Sequence, residues 1–244
     1  VSKTYYTQLR LDPLPPDSAG QLLSAVLGSD AGAQSLAPLL IGRTQGNPFF
    51  LEESLRALVE TGVLTGEPGG YHLTRPAGAV AVPATVQAVL ASRIDRLPPA
   101  EKALLQMASV IGRDVPFALL RAIAGYEEED LRGALAELHA AEFLYEARLF
   151  PDLEYTFKHA LTHEVAYASL LHERCRALHG HFVAAIEQLC ADRLAEQVDS
   201  LAHHAFRGEI WDKAMVYLSD AGAHALGRSA NREAAAYFEQ AVAA

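Results

Sequence analysis

The sequence predicts a mainly α-helical protein carrying two small β-hairpins. Three observations lead there. Apolar residues recur at helical spacing through most of the 244 residues. At one place the period drops to 2: Leu153, Tyr155 and Phe157 alternate with Glu154, Thr156 and Lys158, the pattern of a half-buried strand. After Pro151 there is no proline, and Gly180, Gly208, Gly222 and Gly227 are the only glycines after that point.

The elements follow in order. Tyr5 to Leu11 reads as extended chain, stopped by Pro13, Pro15 and Pro16. Asp17 or Ser18 caps a helix to about Leu27, with Gly28 at its end, and a second helix is expected from Ala33 to Arg43. Asn47-Pro48 is a strong helix start, because Asn47 can accept from a free first-turn donor and Pro48 at the first position wastes none. Leu51, Leu55, Leu58 and Val59 continue that helix, and Gly62 can end it in the left-handed conformation. Residues 63–65 and 71–74 flank Gly66-Glu67-Pro68-Gly69-Gly70 as a hairpin, and a further helix spans roughly Ala84 to Leu97.

Pro98-Pro99 marks a boundary. Three helices are expected beyond it: one to Ile111, one from Pro116 to Gly125, and one from Glu127 to Ala141. Residues 143–147 pair with Leu153 to Lys158 across a turn at Pro151-Asp152. Three helices and a hairpin make a winged helix-turn-helix. From Ala160 the chain is helical, with breaks near Asp192, Gly208 and Ala230 that suggest antiparallel helix pairs. Trp211, Ala214, Tyr217 and Ala221 are echoed by Ala234, Tyr237, Phe238 and Ala241, small residues among aromatics as in tetratricopeptide-like arrays.

The bulk numbers exclude several classes. Half the residues are apolar, enough for a sizeable core. The formal net charge of −10 repels phosphate backbones and disfavours nucleic acid as a partner. Cys175 and Cys190 form no disulfide framework or zinc pattern, which fits a reducing, cytoplasmic setting. No run is long and apolar enough for a membrane helix, no signal peptide is visible, and a membrane partner is not expected. The chain opens at Val1 and stops at Ala244 within a helical pattern, as a stretch of a longer polypeptide would.

No reaction centre assembles from the motifs. His159, His163 and Glu164 lack the His-Glu-x-x-His spacing of zinc proteases. His172, His179 and His181 with Cys175 are the one conceivable metal grouping, but helical spacing alone supplies such pairs, and no metal ligands are assigned. His179, His203 and His204 read as half-buried helix-packing residues. There is no phosphate-binding Gly-x-x-x-x-Gly-Lys loop and no nucleophile elbow. The acidic run Glu127-Glu128-Glu129-Asp130 is explained by the dipole of the helix it starts.

Three segments carry a resemblance. Thr44-Gln45-Gly46-Asn47-Pro48-Phe49-Phe50-Leu51-Glu52-Glu53 resembles the Gly-x-Pro-type motif in the helical lid of STAND ATPases, the signal-transduction ATPases with numerous domains. Val82 to Leu90, continuing through Ile94-Asp95-Arg96-Leu97, is similar to the segment that leads into their winged helix. Phe157-Lys158-His159-Ala160-Leu161 resembles their winged-helix histidine motif, although Ala160 stands where an aspartate is usual. The resemblance spans essentially the whole chain and is closest to bacterial multidomain AAA-type members that carry a cyclase, kinase or DNA-binding domain elsewhere. It implies residues 1–97 as the end of an ATPase module and its lid, 98–170 as a winged helix, and 171–244 as an incomplete tetratricopeptide-like arm.

By the same resemblance, ATP or ADP with magnesium binds to the parent protein, and this stretch alone holds none tightly. Pro48, presented by Asn47, packs near the adenine, and His159 reaches the ADP phosphate to hold a closed, inactive state. The implied partners are an upstream ATPase module of the same chain and a protein or small-molecule ligand of the helical arm. The expectation is therefore a regulatory, non-enzymatic module. The alternative is a DNA-binding transcription regulator, and it is weakened by Glu127, Glu128, Glu129, Asp130 and Glu137 against one Arg132 in the candidate recognition helix. A stand-alone enzyme ranks below both.

Overall fold

A computed structural model describes residues 12–244, and the expected extended segment Tyr5 to Leu11 lies outside them. The protein is mainly helical, with two small antiparallel sheets among the described residues. The chain divides into two compact units, Val1–Arg93 and Ile94–Ala244.

The first unit begins with α1 (Pro16–Leu27), whose Ala19, Leu23 and Leu27 are buried. No side chain caps α1; it starts on prolines instead. The single helix expected over residues 33–43 is two: α2 (Ala31–Gln34), capped by Asp30, and α3 (Ala37–Thr44). Pro38 is the cause, because it has no N–H to donate and its ring obstructs the preceding turn. Then α4 (Pro48–Glu60) buries Leu51, Leu55 and Leu58. The hairpin β1 (Leu64–Thr65) and β2 (His72–Leu73) pairs Leu64 with Leu73 and Thr65 with His72. At the bridge between Gly28 and Gly70, a Cβ on Gly28 would lie 2.2 Å from the Gly69 carbonyl oxygen, so only glycine fits. Helix α5 (Val86–Arg96) follows, and the division between units falls inside it.

The second unit opens with α6 (Pro99–Ile111), β3 (Asp114–Pro116), α7 (Phe117–Ala124), α8 (Glu128–Ala140), β4 (Leu144–Arg148) and β5 (Glu154–Phe157). The three strands form one antiparallel sheet in the order β3-β5-β4. Strand β3 has no counterpart in the sequence reading: three residues ending on a proline are too short to show alternation, and proline suits an edge strand. The alternation in β5 turns Tyr155 and Phe157 into the core.

The remaining elements are α9 (Ala160–Ala168), α10 (His172–Leu189), a 3-10 segment (Ala191–Gln197), α11 (Val198–Arg207), α12 (Trp211–Gly227) and α13 (Asn231–Ala243). One hydrophobic core runs from Leu104 and Leu120 through Phe157 and Phe182 to Leu218 and Ala221, across all of residues 98–170 and into 171–244. Buried Ala214, Ala221 and Ala225 let α12 approach its neighbours. Gly222 lies under the Phe238 ring, which a Cβ would meet at 2.6 Å. Among the described residues, no helix is long and apolar enough to cross a membrane.

Candidate functional site

The residues expected to meet a nucleotide fall in different units. Asn47 and Pro48 belong to the first. The Asn47 backbone is extended (φ −69°, ψ 114°), and its side-chain oxygen accepts from Phe50 N at 3.0 Å. Pro48 occupies the first helical position and is exposed, so its apolar ring stands open at the helix start. Gly46 makes this entry possible. It has φ +75°, it accepts from Leu14 N at 2.8 Å, and a Cβ there would lie 2.1 Å from the Leu14 carbonyl oxygen.

His159 belongs to the second unit. It is the residue before α9, in extended conformation, and it makes no side-chain cap. Its Nε2 is closed off from solvent, so a phosphate contact through that nitrogen requires the ring to turn outward. Lys158 has another role: its Nζ donates to Glu142 at 2.5 Å. His163 is structural, with Nε2 2.9 Å from the Ser109 carbonyl and its ring edge-on to Phe157. An exposed proline ring suits an adenine face. The histidine suits a phosphate only after that rotation.

Two constellations were not legible in the sequence. The first is an ionic clamp in the first unit. Arg93 is buried and holds two carboxylates of α4: one terminal nitrogen donates to Glu53, and Nε donates to Glu60 at 2.8 Å. Arg56 reaches Glu53 and Glu52, each at 3.3 Å. Burial alone would lower the Arg93 pKa, but Glu60 and Glu53 outweigh it and hold it above the ordinary value.

The second is a partly buried chain of polar groups joining α9, α10 and α11. Cys175 Sγ donates to the Tyr167 hydroxyl at 3.3 Å, Tyr167 meets His179 Nε2 at 2.9 Å, and His179 Nδ1 meets His204 Nδ1 at 2.8 Å. His204 stacks on Phe182 with centroids 3.5 Å apart, His203 stands edge-on to it, and the Arg207 guanidinium lies over the Tyr167 ring. Two imidazole nitrogens at 2.8 Å need one proton between them. If Tyr167 donates to His179 Nε2, then His179 carries its proton on Nδ1 and donates to His204. Every link is then satisfied in one direction. Burial lowers the pKa of His179 to about 4 and of His204 to about 2, with neighbouring histidines adding to it, so both rings are neutral at pH 7. Burial also pushes Tyr167 up to about 12.

The conceivable metal grouping does not come together. His172 turns to Glu209 at 3.3 Å, while Cys175 and His179 are spent in the chain just described. Among the described residues, no group of three or more histidine, cysteine or acidic side chains is placed to hold a metal ion.

No protein-family model matches the chain. The chain is similar to an uncharacterised protein of Rhizobium meliloti (strain 1021), 28% identical over 241 residues that take in 97% of this chain. The chain spans 23% of that relative's length.

Proposed function

We propose that this chain is the nucleotide-sensing and relay part of a cytoplasmic STAND-type regulatory ATPase: a lid, a winged helix and the start of a tetratricopeptide-like arm. The observation that carries the reading is the order α6, β3, α7, α8, β4, β5 with the β3-β5-β4 sheet, followed at once by His159 at the strand-to-helix junction. A winged helix has the same element order, which supports that part of the reading. The motif-bearing histidine stands where the sheet hands over to the helices beyond. The exposed Pro48 at an Asn47-capped helix start supports the lid. The paired helices α10 to α13, packed through alanines and Gly222, support the arm.

In this reading the bound nucleotide supplies an adenine face and a charged phosphate. Pro48 offers the base a rigid apolar surface, and His159 turns out to donate to a phosphate oxygen. Holding both contacts favours a closed state, and losing either shifts the equilibrium toward the open one. The DNA-binding alternative shares the element order, but α8 starts on Glu128, Glu129 and Asp130, which a phosphate backbone repels.

The test is ADP dissociation from the longer protein that carries a phosphate-binding loop. His159→Ala should speed release by roughly ten- to a hundredfold, the worth of one charge-assisted contact. Pro48→Gly should act in the same direction. Equal off-rates for wild type and His159→Ala would show a junction residue only.

A further inference from the structure

The second unit contains a cleft of about 350 Å³ lined by Leu194, Ala195 and Val198 on one side and by Tyr217, Asp220 and His224 of α12 on the other. That volume lies at the small end of the range for small-molecule sites, roughly 300–1,000 Å³. The charges around it are unevenly matched. Lys213 donates to both Glu187 oxygens, at 2.8 and 2.5 Å. Arg228 lies between Asp199 at 3.8 Å and Glu233 at 3.7 Å, and Arg193 lies 3.9 Å from Glu196. Asp220 is exposed at the cleft, and no cation among the described residues pairs with it.

Tyr217 is held in place from behind. Its hydroxyl donates to Glu187 at 2.6 Å, which fixes the ring against the cleft and leaves a phenolic lone pair. Burial first, and then Glu187, push its pKa up to about 12, so the phenol stays neutral; the face of a neutral aromatic ring attracts cations. The cleft thus offers an apolar wall, a fixed aromatic ring and a carboxylate with no counter-ion.

We propose that this cleft binds a small organic amine with an apolar body, its ammonium on Asp220 and its body between Tyr217 and the Leu194–Val198 wall. An anion would meet Asp220 unfavourably. A neutral apolar ligand would gain nothing from that carboxylate. A helix or strand of a partner protein is too large for the cleft. The proposal deepens the reading of the arm as a ligand sensor.

The test is binding of 2-phenylethylamine to the 244-residue protein, followed by backbone amide NMR at about pH 8, where a primary alkylammonium stays protonated. Saturable shifts confined to residues 194–198 and 217–224 are expected, with a dissociation constant below about 1 mM. Asp220→Asn should weaken binding by about five- to tenfold, the screened worth of an exposed charge-assisted contact. Ala195→Trp, which fills the cleft from an exposed position, should abolish it. The uncharged analogue 2-phenylethanol should not bind. No saturation by about 10 mM, equal binding by Asp220→Asn or by the alcohol, or shifts elsewhere would overturn the site. So would binding of a lysine-containing hexapeptide in the cleft without binding of the free amine. ADP release is measured separately, so failure here leaves the roles of Pro48 and His159 to their own experiment.

Discussion

Two buried imidazoles that meet nitrogen to nitrogen must share one proton, and this sets how stability responds to acid. In the fold, His179 and His204 have pKa values lowered to about 4 and about 2, against an ordinary value near 6.5 in the unfolded chain. The unfolded state therefore takes up protons first as the pH falls through about 6.5, and stability drops with it. Between pH 7 and pH 5 the loss should be on the order of 2–4 kcal/mol for the pair. Urea midpoints across that range measure it, and the double change His179→Phe with His204→Phe should flatten the profile. An unchanged midpoint from pH 7 to pH 5 in the wild type would rule the account out. Arg93 supplies a second residue-scale expectation. Arg93→Met leaves buried Glu53 with only its longer contact to Arg56 and should cost about 3–5 kcal/mol of unfolding free energy. Adding Glu53→Leu should restore much of it, because a buried apolar pair is no worse than a buried ion pair. A loss under about 1 kcal/mol for Arg93→Met would mean that solvent reaches the clamp. Neither constellation was visible in the sequence. Arg93 meets partners 33 and 40 positions away, and His204 meets His179 25 positions away. The sequence reads His179, His203 and His204 as half-buried helix-packing residues; His179 and His204 are instead buried and His203 is exposed, and only the packing of α9, α10 and α11 makes the buried pair a hydrogen-bonded chain.

Helix boundaries follow from local chemistry, and the start of α4 shows how sharply. Asn47→Ala removes the acceptor for Phe50 N and should cost about 1 kcal/mol. Gly46→Ala should cost more, because the residue sits at φ +75° and its new Cβ would strike the Leu14 carbonyl. Thermal melts of both variants test the order, and equal effects would show that the entry turn rearranges freely. The same kind of signal made α4, α6, α7 and α8 readable to within a residue or two, since each is bounded by proline, a capping position or a terminal glycine. Where the local signal conflicted or was short, reading failed. Pro38 outweighed the apolar periodicity across residues 33–43 and split one helix into two. Strand β3 has only three residues, and its place in the sheet is dictated by its partner β5. The break between α9 and α10 at Ser169–Leu171 has no glycine or proline to announce it.

For the whole molecule, charge decides what kind of partner the surface can meet. The formal net charge is −10, and the local arrangement reinforces it. On the helices that would face DNA in the alternative reading, the cations are already occupied. Arg121 donates to Glu128 at 2.7 Å, Arg132 donates to the same carboxylate at 2.9 Å, and Arg132 also lies over the Phe117 ring at 4.8 Å. Both arginines hold Glu128 below the usual carboxylate range, with Arg132 contributing most, so it stays charged across the physiological range. A phosphate approaching α8 would have to displace these internal pairs while facing Glu129 and Asp130 in the first turn. Affinity for duplex DNA comes largely from counterion release at lysine and arginine contacts, with a salt slope that scales with their number. With few free cations on this face, both affinity and slope should be small. Fluorescence anisotropy of a labelled 20–30 base-pair duplex should therefore show no binding below roughly 100 μM at about 150 mM salt, and little gain at about 50 mM. Submicromolar binding that weakens steeply with salt would put the DNA-binding alternative ahead of the regulatory reading, because it would require Arg121 and Arg132 to leave Glu128 for phosphate.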